Sequence, residues 1–118
     1  MNALLENISN VNDMILQGKA LEAFEQYYHE DVIMQENDNP AVVGKVANRK
    51  REEEFFGSIT EFRSAKILNV AIGENNTTMV EWHMDYTHKD WGIKNITQVA
   101  IQQWKDGKII NEKFYYGS

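Results

Sequence analysis

The sequence predicts an α+β domain in which helices cover one face of a strongly curved, mainly antiparallel sheet. Three observations predict it. Apolar residues recur at three- and four-residue spacing near the N-terminus, but at every second residue beyond Thr60. The later runs are separated by "GENN", "KDWG" and "KDGK", which are Gly/Asn/Asp turn signals at hairpin spacing. The 118 residues, 42% hydrophobic and 11% aromatic, suffice for one core but not for separate cofactor and catalytic domains, so residues 1–118 are expected to form a single domain.

Leu4, Ile8, Val11 and Ile15 define a first amphipathic helix that ends near Gln17 and Gly18. Leu21, Phe24 and Tyr28 continue the pattern in a second, giving an N-terminal helical hairpin. A brief β-run follows at 32–35, and "ENDNPAVVG" then reads as a loop around Pro40. Residues 45–56 form a third helix stopped by Gly57. Its basic residues precede its glutamates, the less favourable order for the helix dipole. Either Lys45 and Arg49 attract an anion at the helix start, or the helix is solvated and carries Arg49–Glu53 and Lys50–Glu54 pairs. Four strands are expected at about 60–73, 77–89, 93–105 and 108–116. Strands this long twist and bend, and a bent sheet wrapped around a helix leaves a concavity.

A formal charge of −6 and a pI near 5.0 disfavour nucleic acid as a partner. The absence of cysteine excludes disulfides, thiolate zinc ligands and a thiol nucleophile. No run approaches the roughly 20 apolar residues of a membrane span, and "MNALLENISNVNDMI" lacks the features of a secretory leader. The expectation is a cytoplasmic protein with no membrane association.

The densest polar cluster is "VEWHMDYTHKDWG", residues 80–92. Alternation sorts Val80, Trp82, Met84, Tyr86 and His88 onto one face, turned toward the helices, and Glu81, His83, Asp85 and Thr87 onto the other. A metal site joining His83 and His88 is therefore disfavoured, and no His-x-His or His-x-x-x-His spacing supports one. Alternation leaves the next two strands undecided. Ile96, Gln98, Ala100, Gln102 and Trp104 share one face of the third run, and Ile110, Glu112, Phe114 and Tyr116 one face of the last.

The helical hairpin, "YYHEDVIMQEND", "VEWHMDYTHKDWG" and "AIQQWKDGKIINEKFYY" together resemble the nuclear-transport-factor-2-like superfamily, in particular SnoaL-like polyketide cyclases and ketosteroid-isomerase-like proteins. The resemblance covers nearly the whole chain. It implies a cystatin-like cone around an apolar pocket, usually in a homodimer, with Gln98, Ala100, Gln102 and Glu112 turned inward. It aligns Glu36 with the isomerases' general base and His88 with a pocket histidine of the cyclases. The aspartate of both families falls at Ala100, and the isomerase's oxyanion tyrosine falls near Asn12.

The resulting expectation is a binding domain for a small apolar or carbonyl-containing molecule, with no cofactor and no metal. Chemistry, if present, is proton transfer near a carbonyl. Glu36 and His88 are the catalytic candidates. Tyr28, Phe55, Trp82, Tyr86, Gln98, Gln102, Trp104, Glu112 and Tyr116 are the substrate-binding ones. The alternative is a non-catalytic binding or dimerisation module. In that case Glu36 is an exposed loop carboxylate, His88 caps a turn, Glu112 pairs with a basic side chain, and the aromatics are core.

Overall fold

The computed structural model describes residues 3–117; Met1, Asn2 and Ser118, part of the expected 1–118 unit, lie outside the described residues. Helix α1 (Ala3–Leu16) turns Ile8, Val11 and Asn12 inward. It stops where Gly18 adopts a left-handed φ of 80°, and the N–H groups of Gly18 and Lys19 donate back to Ile15 and Met14. A side chain at that φ is strained, so glycine belongs there. Helix α2 (Ala20–Tyr27) follows at once and buries Ala23 and Phe24.

Strand β1 (Tyr28–Glu36) is longer than the 32–35 run expected, and it takes Tyr28 from the helix. The reason is tertiary: Tyr28 is buried, and its hydroxyl bonds across the sheet to Glu112, a contact helical continuation would forfeit. A two-residue strand, β2 (Val42–Val43), stands where a loop was expected; it pairs antiparallel with Ile33 and Met34. Helix α3 (Lys45–Gly57) is pinned to both strands by one side chain. Buried Asn48 brings its amide nitrogen within 3.3 Å of the Val32 carbonyl, 2.9 Å of Val42 and 2.8 Å of Gly44.

The remaining chain is β3 (Ile59–Gly73), β4 (Thr77–His88), β5 (Gly92–Lys105) and β6 (Lys108–Tyr116). Asn75–Asn76 and Asp106–Gly107 supply consecutive positive φ values at two of the turns, the geometry of tight hairpins. One six-stranded sheet results, in the order β2-β1-β6-β5-β4-β3. All its pairs are antiparallel except β1 with β6. Three register shifts between β3 and β4 bend the sheet into a half-cone. The helices fill part of its concave side, with Ile8, Phe24, Val32, Val80, Trp82 and Ile109 at the packed centre.

Burial on β4 follows the expected alternation: Val80, Trp82, Tyr86 and His88 are buried, while Glu81, His83, Asp85 and Thr87 are only partly covered. On β6 a shift between Gln103 and Trp104 breaks strict alternation, so Ile109 rather than Ile110 is fully enclosed. The basic start of α3 is occupied by protein. Lys45 donates to the Glu25 carbonyl and pairs with Glu30, and Arg49 pairs with Glu25 and, at 3.9 Å, Glu53. Among the described residues no Lys50–Glu54 ion pair forms, and no helix is long and apolar enough to cross a membrane.

Replacing Asn48 by alanine leaves three backbone carbonyls without their shared donor. Chemical denaturation should register a loss of about 2 kcal/mol, with no comparable loss for the exposed neighbour Lys50→Ala.

Candidate functional site

A cavity of about 1340 Å³ lies between the concave face of the sheet and the helices. Strand register arranges the concave face of the sheet in rows. Thr78, Gln102 and Glu112 are cross-strand neighbours in one row, beside Met34. Val80, Ala100, Phe114 and Glu36 form the next, and Trp82, Gln98 and Tyr116 the one beyond. Ala100 therefore sits mid-floor with its small side chain buried, and no acid is present where the family resemblance calls for one.

The first row is a directional hydrogen-bond chain. Trp104 Nε1–H donates to Thr78 Oγ1 (2.9 Å), whose hydroxyl donates to Gln102 Oε1 (2.6 Å). This fixes the amide so that Gln102 Nε2 donates to Glu112 Oε2 at 2.8 Å. Tyr28 donates to the other carboxylate oxygen at 2.5 Å. Each donor leads toward Glu112, the pattern an ionised carboxylate requires. Among the described residues its hydrogen-bond partners are all neutral, and it pairs with no cation. Burial lifts its pKa to about 6 against the opposing pull of the Tyr28 and Gln102 bonds. The Tyr28 hydroxyl is pushed well above its ordinary range by burial and by the Glu112 charge.

Facing this row is Glu52, a residue the sequence reading missed. It projects from α3 onto the cavity wall, one turn beyond Asn48 and one turn before Phe55. It is half-buried there. Burial first, then repulsion from Glu112 and from Glu36, raises its pKa to about 8, with Arg51 opposing. Glu52 is therefore a largely protonated carboxylic acid at neutral pH. The available signal was positional: Asn48, Glu52 and Phe55 fall at i, i+4 and i+7, one helical stripe hidden in the charged run "NRKREEEFF".

Glu36 also lines the cavity, at the end of β1. Arg51 holds one oxygen at 3.2 Å, and the Tyr116 hydroxyl lies 3.4 Å from the other. Burial and the neighbouring Glu36 raise the Tyr116 pKa, and the same causes act with Tyr116 itself on Tyr86. His88 stands at the other end of β4. Its Nδ1 accepts the Asp90 backbone N–H at 3.1 Å, so it does cap the turn, and its ring stacks on Trp91 at 3.7 Å. Glu36 and His88 both line the cavity but share no hydrogen bond.

Tyr28, Phe55, Trp82, Tyr86, Gln98, Gln102, Glu112 and Tyr116 also line this space. Trp104 does not: it packs edge-on against Tyr27 and its N–H serves Thr78. Gln102 and Glu112 satisfy each other. His83 lies on the outer sheet face, its Nδ1 3.4 Å from Thr97 Oγ1. Among the described residues no three metal-ligating side chains converge.

A family model described as a SnoaL-like domain matches residues 5–116. No curated protein matches the chain. Among solved structures, a protein provisionally named a SnoaL-like polyketide cyclase (carbohydrate phosphatase) from Mesorhizobium loti superposes with a TM-score of 0.86 at 23% identity, over 98% of this chain and 100% of that one. A provisionally named isomerase from Bacillus subtilis gives 0.80 at 17% identity, over 99% and 90%. An LEH-like epoxide hydrolase from M. tuberculosis gives 0.76 at 11%, over 98% and 83%. At these identities the structural likeness establishes the fold.

The raised carboxyl pKa values set a direction for stability against pH. Between about 4.5 and 8 the native state holds protons on Glu112 and Glu52 that the unfolded chain has released, so stability falls as pH rises through that window. Glu52→Gln removes the larger part of the fall. Denaturation at pH 5 and pH 8.5 should show the variant gaining on the wild type at the higher pH, by on the order of 3 kcal/mol.

Proposed function

The chain belongs to the SnoaL-like domain family, and from that premise we propose that it binds a small organic molecule in the cone and catalyses cofactor-free proton transfer beside a carbonyl group. What carries this reading is the position of Glu52 on the wall of a large cavity, where burial and the charges of Glu112 and Glu36 push its pKa up to about 8. A neutral carboxylic acid in such a place donates a strong hydrogen bond to an oxygen that becomes negative during reaction.

Glu36 is the base. Its carboxylate takes a proton from the carbon next to the carbonyl, and the electron pair of the broken C–H bond moves onto the carbonyl oxygen. Glu52 O–H stabilises the resulting enolate, and the Tyr116 hydroxyl, already beside Glu36, is the second donor. Return of the same proton to a different carbon completes an isomerisation. Arg51 positions Glu36, and Glu112 acts through Glu52 by keeping it protonated. The acid absent at Ala100 is thus supplied from α3, across the cavity. The neighbours named isomerase, cyclase and epoxide hydrolase are consistent with proton-transfer chemistry on this fold.

A second reading, ligand binding without turnover, is favoured by Ala100 and by the engagement of His88 in its turn. The homodimer implied by the family resemblance is also part of the proposal; Ile93 and Tyr115, exposed on the central strands β5 and β6, support it.

Proton–deuterium exchange beside the carbonyl of a bound ketone, followed by NMR in heavy water, separates the two readings. Catalysed exchange should fall about a hundredfold or more in Glu36→Gln and in Glu52→Gln. Glu112→Gln should keep exchange but move its alkaline limb to lower pH, because Glu52 then loses its proton more readily. Ligand binding with no catalysed exchange in the wild type supports the binding module instead.

A further inference from the structure

His88 carries a donor that the proposed proton transfer does not use. The ring is only 5% exposed, and because Nδ1 accepts the Asp90 N–H its proton resides on Nε2. Among the described residues Nε2 has no partner, and no fully enclosed side-chain nitrogen or oxygen is left unpaired. Nε2–H is therefore not fully enclosed, and His88 lines the cavity. An accessible N–H of this kind is met by water until a ligand acceptor takes its place.

The surroundings specify what carries that acceptor. Trp91 lies over His88, nearly parallel at 3.7 Å, with 54% of its surface in solvent, so it roofs the imidazole at the cavity mouth. Phe55 stands 6.2 Å from both rings and meets Tyr86 edge-on at 5.7 Å. Aromatic edges and faces at these spacings favour another flat ring over a saturated one. Phe55 is also three residues beyond Glu52 on α3. Glu52 and His88 line the same cavity, with Phe55 a helical turn from one and 6.2 Å from the other.

We propose that His88, roofed by Trp91, forms a second subsite of the cavity that holds an aryl group bearing a hydrogen-bond acceptor, with the reacting carbonyl at the Glu52 end. The substrate class is an elongated aryl ketone or aldehyde with an acceptor at the far end from its carbonyl. His88 is then a positioning residue. This assignment rests on the cavity being the ligand site, as proposed above, but not on turnover.

Three ketones of one shape test it: para-acetylbiphenyl, and the same ketone with its terminal ring replaced by para-pyridyl or by cyclohexyl. Calorimetry and tryptophan fluorescence should rank pyridyl about tenfold tighter than phenyl, and phenyl tighter than cyclohexyl. His88→Phe keeps a ring under Trp91 but has no donor, so it should erase the pyridyl advantage while phenyl binding persists. Trp91→Ala should weaken both aryl ketones. Because His88→Phe also removes the turn cap, the wild-type imidazole Nε2–H resonance supplies a second readout, and it should shift with the pyridyl ketone alone. Equal binding of pyridyl and phenyl ketones, or a pyridyl advantage that survives His88→Phe, overturns the subsite and leaves the cavity reading intact. Failure of all three ketones to bind overturns both.

Discussion

The arrangement depends on one buried negative charge. Glu112 sits on the floor of the cone with two neutral donors and no cation, a placement tolerable only because Tyr28 and Gln102 occupy both of its oxygens. Those donors are aimed by others. Thr78 orients Gln102, Trp104 orients Thr78, and strand register brings Thr78, Gln102 and Glu112 into line. Remove the register and the charge has no compensation. The charge in turn bears on the chemistry opposite it, since burial first and the Glu112 charge second raise the pKa of Glu52. Core packing and site electrostatics are therefore one network here.

Helix α3 shows how a polar helix earns a place in a small domain. Its inward stripe of Asn48, Glu52 and Phe55 contains one apolar residue, and hydrophobic burial alone would not hold it against the sheet. Asn48 supplies the anchor by serving three carbonyls. With the helix fixed, Glu52 can be offered to the cavity, and Arg51 beside it can reach Glu36. Arg49 pairs with Glu25 and Glu53, and Lys45 with Glu30.

Much of this was legible in the sequence, and the parts that were not have physical reasons. Period-two alternation is strong where one strand face is apolar, so β4 was readable residue by residue, and the Asn75–Asn76 and Asp106–Gly107 turns were explicit in residue type. The placement of Tyr28 depends on a partner at position 112, and the inward Ile109 on a register shift; neither is a local property. Glu52 was hidden because a charged run reads as a solvated face, and a stripe of Asn, Glu and Phe carries almost no hydrophobic signal. Glu36 and His88 were found by family resemblance, and both line the cavity, but the partners that define them, Arg51, Tyr116 and Trp91, emerge only in three dimensions.

The parallel pairing of β1 with β6 has a bearing on how the chain acquires its shape. Tyr28 and Glu112 are 84 residues apart along the chain, and β6 is the final strand. During synthesis the helical hairpin and β1 emerge long before their partner exists, so the apolar stripes of α1 and α2 wait without a sheet to cover them. Closing so long a loop late is entropically demanding and slow, which makes this a domain expected to collapse only once β6 has been made. In that interval, shielding by chaperones matters more for its yield than its modest size would suggest.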